Sequence, residues 1–235
     1  MAFDTTNWTV VLEAARGDTT GGRAALGTLC ETYWYPVYAL VRRSGHDPCD
    51  AEDLTQGYFA RLLEKEDLRR LHPHRGRFRS FLFVSVRNFL HNERDRGRRL
   101  KRGGGGQTLS LEGAEVERLY GKEPAAPGNP EALFERAWVR TVLERTLGRL
   151  SAEQKGDQRE FRFARLKPLL TGDEGTATYA EIAREWGVGE AAVRVAVHRM
   201  RRRFARLLRE EIGRTVADPA DIEPEIAYLL RVAGR

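Results

Sequence analysis

The sequence is poor in cysteine and has no long apolar segment. Its two cysteines, Cys30 and Cys49, lack the spacing of a metal-binding motif, and we expect both to be reduced thiols. No run of about 18 apolar residues occurs, so we expect no membrane span. The N-terminus lacks a basic segment followed by an apolar core, which argues against a secretory signal and favours a cytoplasmic protein. A hydrophobic content of 41% beside 31% charged residues is typical of a globular chain.

Motifs of the common enzyme classes are also absent. There is no GxxxxGK[ST], GxSxG or HExxH pattern. Gly103 to Gly106 follow a basic tract instead of a strand, which argues against a dinucleotide-binding loop. His72 and His74 could each bind a metal, but no cysteine or carboxylate cluster completes a site at known spacing. We therefore expect no enzymatic activity, no catalytic residue, no metal and no cofactor.

Strand patterns are missing too, because no segment shows convincing period-two alternation. Helical spacing of apolar residues recurs instead, and it predicts an all-α fold of two helical lobes joined by a flexible linker. Glycines at 103–106 and prolines at 124, 127 and 130 mark the linker, after which Asn129 and Pro130 are suited to begin a helix. The predicted organisation is a first lobe at 1–102, a linker at 103–130, a second lobe at 131–212 and an acidic tail at 213–235.

The stretch from Thr178 to Leu208 carries the clearest pattern. Thr178 and Glu181 form a capping-box sequence, which predicts a helix starting at Tyr179, and Gly187 should end it. A second helix should follow Gly189 and pack on the first through small and apolar residues, Ala183, Val193 and Ala196. A tight turn between two such helices predicts a helix-turn-helix unit, whose basic second helix suits the DNA major groove. The alternative is an ordinary helical hairpin with solvated arginines.

Positive charge is concentrated in two places. Residues 75–102 carry ten arginines and lysines against two acidic residues, and residues 190–209 carry seven arginines against one glutamate. Two separate cationic elements on a mildly acidic background indicate a polyanionic ligand contacted twice. In the first element, arginines alternate with aromatic residues and could hold single-stranded bases. A core helix ending in a basic tail explains the pattern equally well.

Two further helices are predicted in the first lobe. The first, at about 23–43, contains an aromatic cluster around Tyr33 to Tyr38 that we expect in the core, with Pro36 predicting a kink or break. The next reads DAEDLTQGYFARLLE and should begin at Cys49 or Asp50. It buries one apolar row and exposes Asp53 and Gln56 on the opposite face, which favours ordinary solvation over a docking surface.

Taken together, three stretches resemble the extracytoplasmic-function (ECF) sigma factors of bacterial RNA polymerase. They are DAEDLTQGYFARLL, FRSFLFVSVRNFLHNERDR and TYAEIAREWGVGEAAVRVAVHRMRRRF, in that order. The resemblance covers about residues 23–102 and 133–212.

The resemblance implies partners and roles for particular residues. The first stretch would dock the clamp coiled coil of core RNA polymerase, whose flap is a further expected contact, and an anti-sigma factor is another candidate partner. The second stretch would melt the −10 element of promoter DNA and hold its single strand, while the third would bind the −35 element as a duplex. The implied residues are Asp50, Asp53 and Gln56 for the polymerase; Arg79, Phe83, Arg87, Asn88 and Asn92 for the −10 element; and Arg194, His198, Arg199, Arg201 and Arg202 for the −35 element.

Some residues depart from the family pattern. Phe81 replaces a frequent tryptophan and Asn92 a frequent aspartate, which puts the −10 preference in question. Val195 and Ala196 are apolar where the family often has polar residues, so −35 reading would rely more on shape and methyl contacts. A helix-turn-helix repressor or activator acting without polymerase docking is the alternative function.

The acidic tail lies outside the resemblance. Three roles stay open for it: packing on the second lobe, masking the basic helix there, or binding a regulator.

Overall fold

The computed structural model describes residues 20–64, 78–99, 111–121, 129–171, 177–214, 216 and 219–234, and all regular structure within them is helical. The prediction of an all-α fold is therefore confirmed. The helices are α1 (Thr20–Arg43), α2 (Pro48–Glu64), α3 (Phe78–Arg99), α4 (Leu111–Tyr120), α5 (Pro130–Ala152), α6 (Asp157–Thr171), α7 (Tyr179–Trp186), α8 (Glu190–Gly213) and α9 (Ile222–Ala233), with a 3₁₀ turn at Pro219–Asp221. The sequence also predicts a short helix within residues 1–20 and a loop at 72–76; residues 1–19 and 72–76 lie outside the described residues. None of the described helices is long and apolar enough to cross a membrane.

The chain forms two compact units. The first unit comprises residues 1–141 and 212–235, and the second unit comprises residues 142–211. The boundaries predicted at residues 102, 130 and 212 divide the chain by function, and this functional division stays a prediction.

The core of the first unit is built on the aromatic cluster of α1. Tyr33 and Tyr38 are almost fully buried and Tyr35 is 7% exposed, which confirms the prediction that this cluster lies in the core. Tyr33 contacts Phe78 at the start of α3 edge to face, with ring centroids 5.4 Å apart. Helix α1 continues through Pro36, so the predicted break does not occur.

Helix α4 lies within the stretch predicted as a linker, and it packs on α1. Glu117 accepts hydrogen bonds from Arg42 Nε and Nη2 at 2.9 and 2.8 Å and from the Tyr38 hydroxyl at 2.6 Å. The Arg42 guanidinium also lies over the Tyr120 ring, 5.0 Å from its centroid. The apolar residues of this contact are Tyr35, Ala39 and Ala137 with Val116, Leu119 and Tyr120. This part of the predicted linker is therefore a docked helix.

The predicted capping box of the second unit is present. The Thr178 hydroxyl accepts a hydrogen bond from the Glu181 backbone at 3.2 Å, and the Glu181 carboxylate accepts one from the Thr178 backbone at 2.7 Å. Gly187 ends α7 in the left-handed conformation, with φ of 64°. Ala183 and Val193 pack in one core cluster with Ala196 beside them, as the sequence predicted. DNA reading by α7 and α8 stays a prediction.

The C-terminal tail forms α9, which belongs to the first unit. Leu229 is fully buried and Glu225 is only 2% exposed, so this helix packs with both an apolar and a charged side chain inside. Gly213 lies beside Ile222, since a Cβ at Gly213 would be 3.5 Å from Ile222 Cδ1. This placement differs from packing on the second lobe or masking its basic helix, whereas binding of a regulator stays a prediction.

Candidate nucleic-acid and protein interfaces

One face of α2 is exposed within the described part of the chain. Asp50, Asp53 and Gln56, the residues expected at a protein interface, are all exposed. The helix begins at Pro48 and not at Cys49 or Asp50, because Asp47 Oδ1 accepts a hydrogen bond from the Asp50 backbone at 2.9 Å. The three side chains thus stand on the first three turns of a well-capped helix.

Two small residues extend this face. Gly57 and Ala60 are exposed and follow Asp53 by four and seven positions, so they share its side of the helix. A Cβ at Gly57 would meet Phe89 Cζ at 3.8 Å, an ordinary contact, so packing inside the protein does not require a glycine there. The sequence interpretation missed these two small residues, although the spacing of positions 53, 57 and 60 indicates that they share one helix face. A surface of small residues permits close approach of a second helix.

Helix α3 presents two different sides, and the first forms a cleft with α2. The cleft has a volume of about 270 Å³. Its lining residues are Tyr58, Arg61 and Leu62 of α2 and Phe81, Val84, Ser85, Asn88, Phe89 and Asn92 of α3. The structure therefore brings Asn88 and Asn92 together.

Arg61 supplies this cleft with a cation that sequence reasoning missed. Its guanidinium lies 5.7 Å from the Phe89 ring centroid. Its buried Nη1 atom finds no hydrogen-bond acceptor among the described residues. An unused donor next to two amides and aromatic rings can recognise a flat polar ring by stacking and hydrogen bonding. The signal for Arg61 in the sequence was its position three residues after Tyr58, which belongs to the buried row of α2.

The second side of α3 carries the other expected −10 residues. Phe83 is 7% exposed and its ring centroid lies 5.9 Å from that of Phe134 in α5. Arg87 is exposed, with its guanidinium 5.6 Å from the centre of the Phe83 ring. The five residues predicted to act together are thus divided between the cleft and this side.

Arg79 is enclosed on this second side. It is 4% exposed and forms an ion pair with the buried Glu225 of α9. Its guanidinium lies 4.7 Å from the Trp138 ring centroid and 4.4 Å from that of Tyr228. Burial and a hydrogen bond with Glu135 raise the pKa of the Tyr228 hydroxyl, which is therefore protonated at neutral pH. Arg79 is occupied within the chain by groups from two other helices.

Several arginines of α8 are likewise held by the second unit. Arg194 pairs with Glu190 at 2.5 Å and lies 5.1 Å from the centre of the Tyr179 ring. Arg201 Nη2 donates a hydrogen bond to the Leu169 carbonyl at 2.9 Å. These contacts orient two of the five expected −35 residues.

The other three expected −35 residues form an exposed row. His198, Arg199 and Arg202 are exposed, and no partner holds them within the described part of the chain. Because residues three and four apart share a helix face, the three lie side by side. Val195, 49% exposed, adds an apolar group to the same face. Two cations, an imidazole and a methyl-bearing side chain match the phosphates and base edges of a DNA groove.

Part of the chain matches a known protein family. Residues 29–100 match the family described as Sigma-70 region 2, a range that spans most of α1 and all of α2 and α3. The chain is also 29% identical over 202 residues to the ECF RNA polymerase sigma factor SigE of Mycolicibacterium smegmatis. That alignment covers 84% of this chain and 68% of the relative. No solved structure matches the chain.

Proposed function

We propose that this chain, as an ECF sigma factor of bacterial RNA polymerase, opens promoters by binding their −10 and −35 elements while docked on core polymerase. The observation that carries the proposal is the match of region 2 to α1–α3, because both the exposed face of α2 and the cleft beside α3 lie inside it. Such a protein acts in the cytoplasm, at the nucleoid.

The polymerase contact is proposed for the exposed face of α2. Asp50, Asp53 and Gln56 offer acceptors and one amide donor to basic residues of the clamp coiled coil. Gly57 and Ala60 allow a partner helix to approach closely, since neither side chain extends beyond a methyl group. Helices in close contact at small residues align their polar neighbours for hydrogen bonding. We expect the polymerase flap to contact the second lobe.

The cleft between α2 and α3 is proposed to hold one base flipped out of the −10 element. Flipping breaks the stacking and pairing of that base, and a binding site must replace both interactions. Phe81 and Phe89 can stack on a base, and the donors and acceptors of Arg61, Asn88 and Asn92 can read its edge. In this arrangement Phe81 takes the stacking role of the family's frequent tryptophan.

The −35 element is proposed to lie against α8. His198, Arg199 and Arg202 would contact phosphates or bases directly, whereas Arg194 and Arg201 are already held by Glu190 and the Leu169 carbonyl. We therefore expect the first three to carry more of the binding free energy. Val195 would contact a thymine methyl group, which gives an apolar component of base discrimination.

Two measurements test this function. Purified chain mixed with core polymerase should co-elute in gel filtration, and the complex should yield discrete start sites in run-off transcription from genomic fragments. Asp53→Ala with Gln56→Ala should reduce co-elution, while Glu115→Ala, an exposed carboxylate on α4, should not. A repressor or activator acting without polymerase would bind DNA yet fail to co-elute and give no start sites.

The cleft is tested separately from docking. Asn88→Ala should leave co-elution unchanged but weaken promoter opening, followed by permanganate reactivity of unpaired thymines. The expected loss is about 1–3 kcal/mol, the range for one polar contact that reads a base. Ser80→Ala is the matched control, because Ser80 is exposed on the same helix outside the cleft. Equal effects of both variants would remove the cleft from the mechanism.

A further inference from the structure

Helix α9 places a carboxylate against the side of α3 that carries Arg79, a residue expected to bind promoter DNA. Its inward face contains Ile222, Ile226 and Leu229 at helical spacing, with Glu225 in their midst. The side chains of Arg79 and Glu225 are only 5% and 3% exposed, so solvent hardly screens their ion pair. A charged residue at the centre of an otherwise apolar docking face requires a fixed partner, and Arg79 is that partner.

The surroundings of Arg79 resemble those of an arginine bound to a nucleic acid strand. Aromatic rings of Trp138 and Tyr228 lie within 5 Å of its guanidinium. The Glu225 carboxylate forms an ion pair with its Nη1 atom. Two neighbouring rings and an oxyanion are the kinds of contact that bases and a phosphate would make. Glu225 and Tyr228 both come from α9, so this one helix supplies the anion and one of the rings.

A DNA phosphate can replace the Glu225 carboxylate as the anion that pairs with Arg79. A guanidinium binds carboxylate and phosphate with the same paired N–H donors, so replacing one anion by the other keeps the charge balance. A buried ion pair also adds little net stability, because desolvation of both charges offsets their attraction. The docked state of α9 can therefore be reversed by a competing anion.

We propose that α9 is an internal competitor of the promoter strand, which keeps Arg79 bound to Glu225 in the free chain and yields it to a DNA phosphate in the transcription complex. This inference rests on the proposed function for the identity of the competing strand. It assigns the C-terminal tail a regulatory role on the first unit. It also accounts for the burial of a residue expected to bind DNA.

The first experiment measures binding of the full-length chain to a fluorescent single-stranded oligonucleotide of mixed sequence. Glu225→Gln should tighten binding roughly five- to tenfold, within the range expected for one additional ordinary hydrogen bond. The salt dependence should steepen by about 0.7 in log–log slope, the value for one more neutralised phosphate on a single strand. Combining Glu225→Gln with Arg79→Gln should abolish both changes.

Glu223→Gln is the matched control, because it removes the same charge from an exposed position on the same helix. If Glu223→Gln and Glu225→Gln tightened binding equally, only net charge would matter and the proposal would be wrong. Melting curves of each variant, followed by circular dichroism, monitor folding. Glu225→Gln that lowered the melting temperature without tightening DNA binding would make α9 purely structural and overturn the proposal.

Hydrogen exchange of the unmodified protein gives a second test that requires no variant. Amides of residues 222–233 should exchange slowly in the free chain and faster in its complex with core polymerase and promoter DNA. Equal protection in both states would contradict release of α9. Co-elution with polymerase tests the sigma-factor assignment, and oligonucleotide binding by the Glu225→Gln variant tests the role of α9. Because the two are measured separately, failure of the first would not prevent interpretation of the second.

Discussion

Replacing Glu117 by glutamine should detach α4 from α1. The carboxylate accepts three hydrogen bonds, two from Arg42 and one from Tyr38, at 2.6–2.9 Å. Charge-assisted hydrogen bonds are worth about 1.5–3 kcal/mol when buried, but the side chains of Arg42 and Glu117 are 19% and 26% exposed. Solvent screening and the bond that glutamine retains reduce the expected loss to about 1–2 kcal/mol. For a chain of this size that corresponds to a fall of about 2–8 °C in melting temperature.

The matched control is Glu115→Gln on the same helix. Glu115 pairs with Arg118 in the same way, yet both side chains are 57% exposed, so its loss should not be measurable. Thermal melting gives the global effect, and hydrogen exchange of residues 111–120 shows whether α4 itself is released. Equal effects of the two variants would refute the argument that Glu117 anchors α4 through burial.

Acid should have the same effect as the substitution. Burial raises the pKa of Glu117, but the hydrogen bonds from Arg42 and Tyr38 outweigh it, and the pKa lies below its ordinary value. A lowered pKa means that the folded state favours the charged form. The stabilisation is therefore complete above the unfolded pKa of about 4.3 and is lost as pH falls through the lower folded value. Glu117→Gln should remove this acid sensitivity of α4 exchange.

The remaining predictions concern the second unit. Thr178→Ala should lower the free energy of unfolding by about 1 kcal/mol in chemical denaturation, because α7 loses its N-terminal cap; Thr178→Ser, which keeps the hydroxyl, should not. Gly187→Ala should cost about 1 kcal/mol in the same assay through the left-handed backbone alone, since no atom of the described residues lies within 4 Å of the added Cβ; no loss would contradict the observed φ. Arg199→Ala should weaken duplex DNA binding more than Arg194→Ala, with a decrease of about 0.9 in salt slope if it contacts a phosphate; the reverse order would show that the pair with Glu190 opens on DNA.

Features set by neighbouring residues could be predicted from the sequence. The capping box of Thr178 and the end of α7 at Gly187 involve contacts within a few residues, so the sequence pattern contains both partners. The close crossing of α7 and α8 at Ala183 could be predicted for the same reason, because small residues at a fixed distance from a turn allow only a few helix packing geometries. The burial of Tyr33 and Tyr38 followed from helical spacing.

Contacts between distant segments could not be predicted in this way. The pattern of α3 is the same whether Arg79 faces a DNA strand or a helix of its own chain, and Glu225 resembles any solvated acidic residue of a tail. Arg61 was missed because an arginine beside an apolar row usually extends to solvent. In each case the residue that decides the environment of the arginine lies far away in the sequence, and no local sequence pattern indicates it.

The division of the first unit between residues 1–141 and 212–235 also bears on how the protein is made. Arg79 leaves the ribosome about 150 residues before Glu225, which at 5–20 residues per second is a delay of roughly 7–30 s. During that interval the nascent chain has Arg79 without its internal carboxylate, while the second unit is still being synthesised. A chain that lost α9 to premature termination or to a protease would remain in that state. Synthesis of α9 would then set the moment at which the proposed restraint on DNA binding by Arg79 begins.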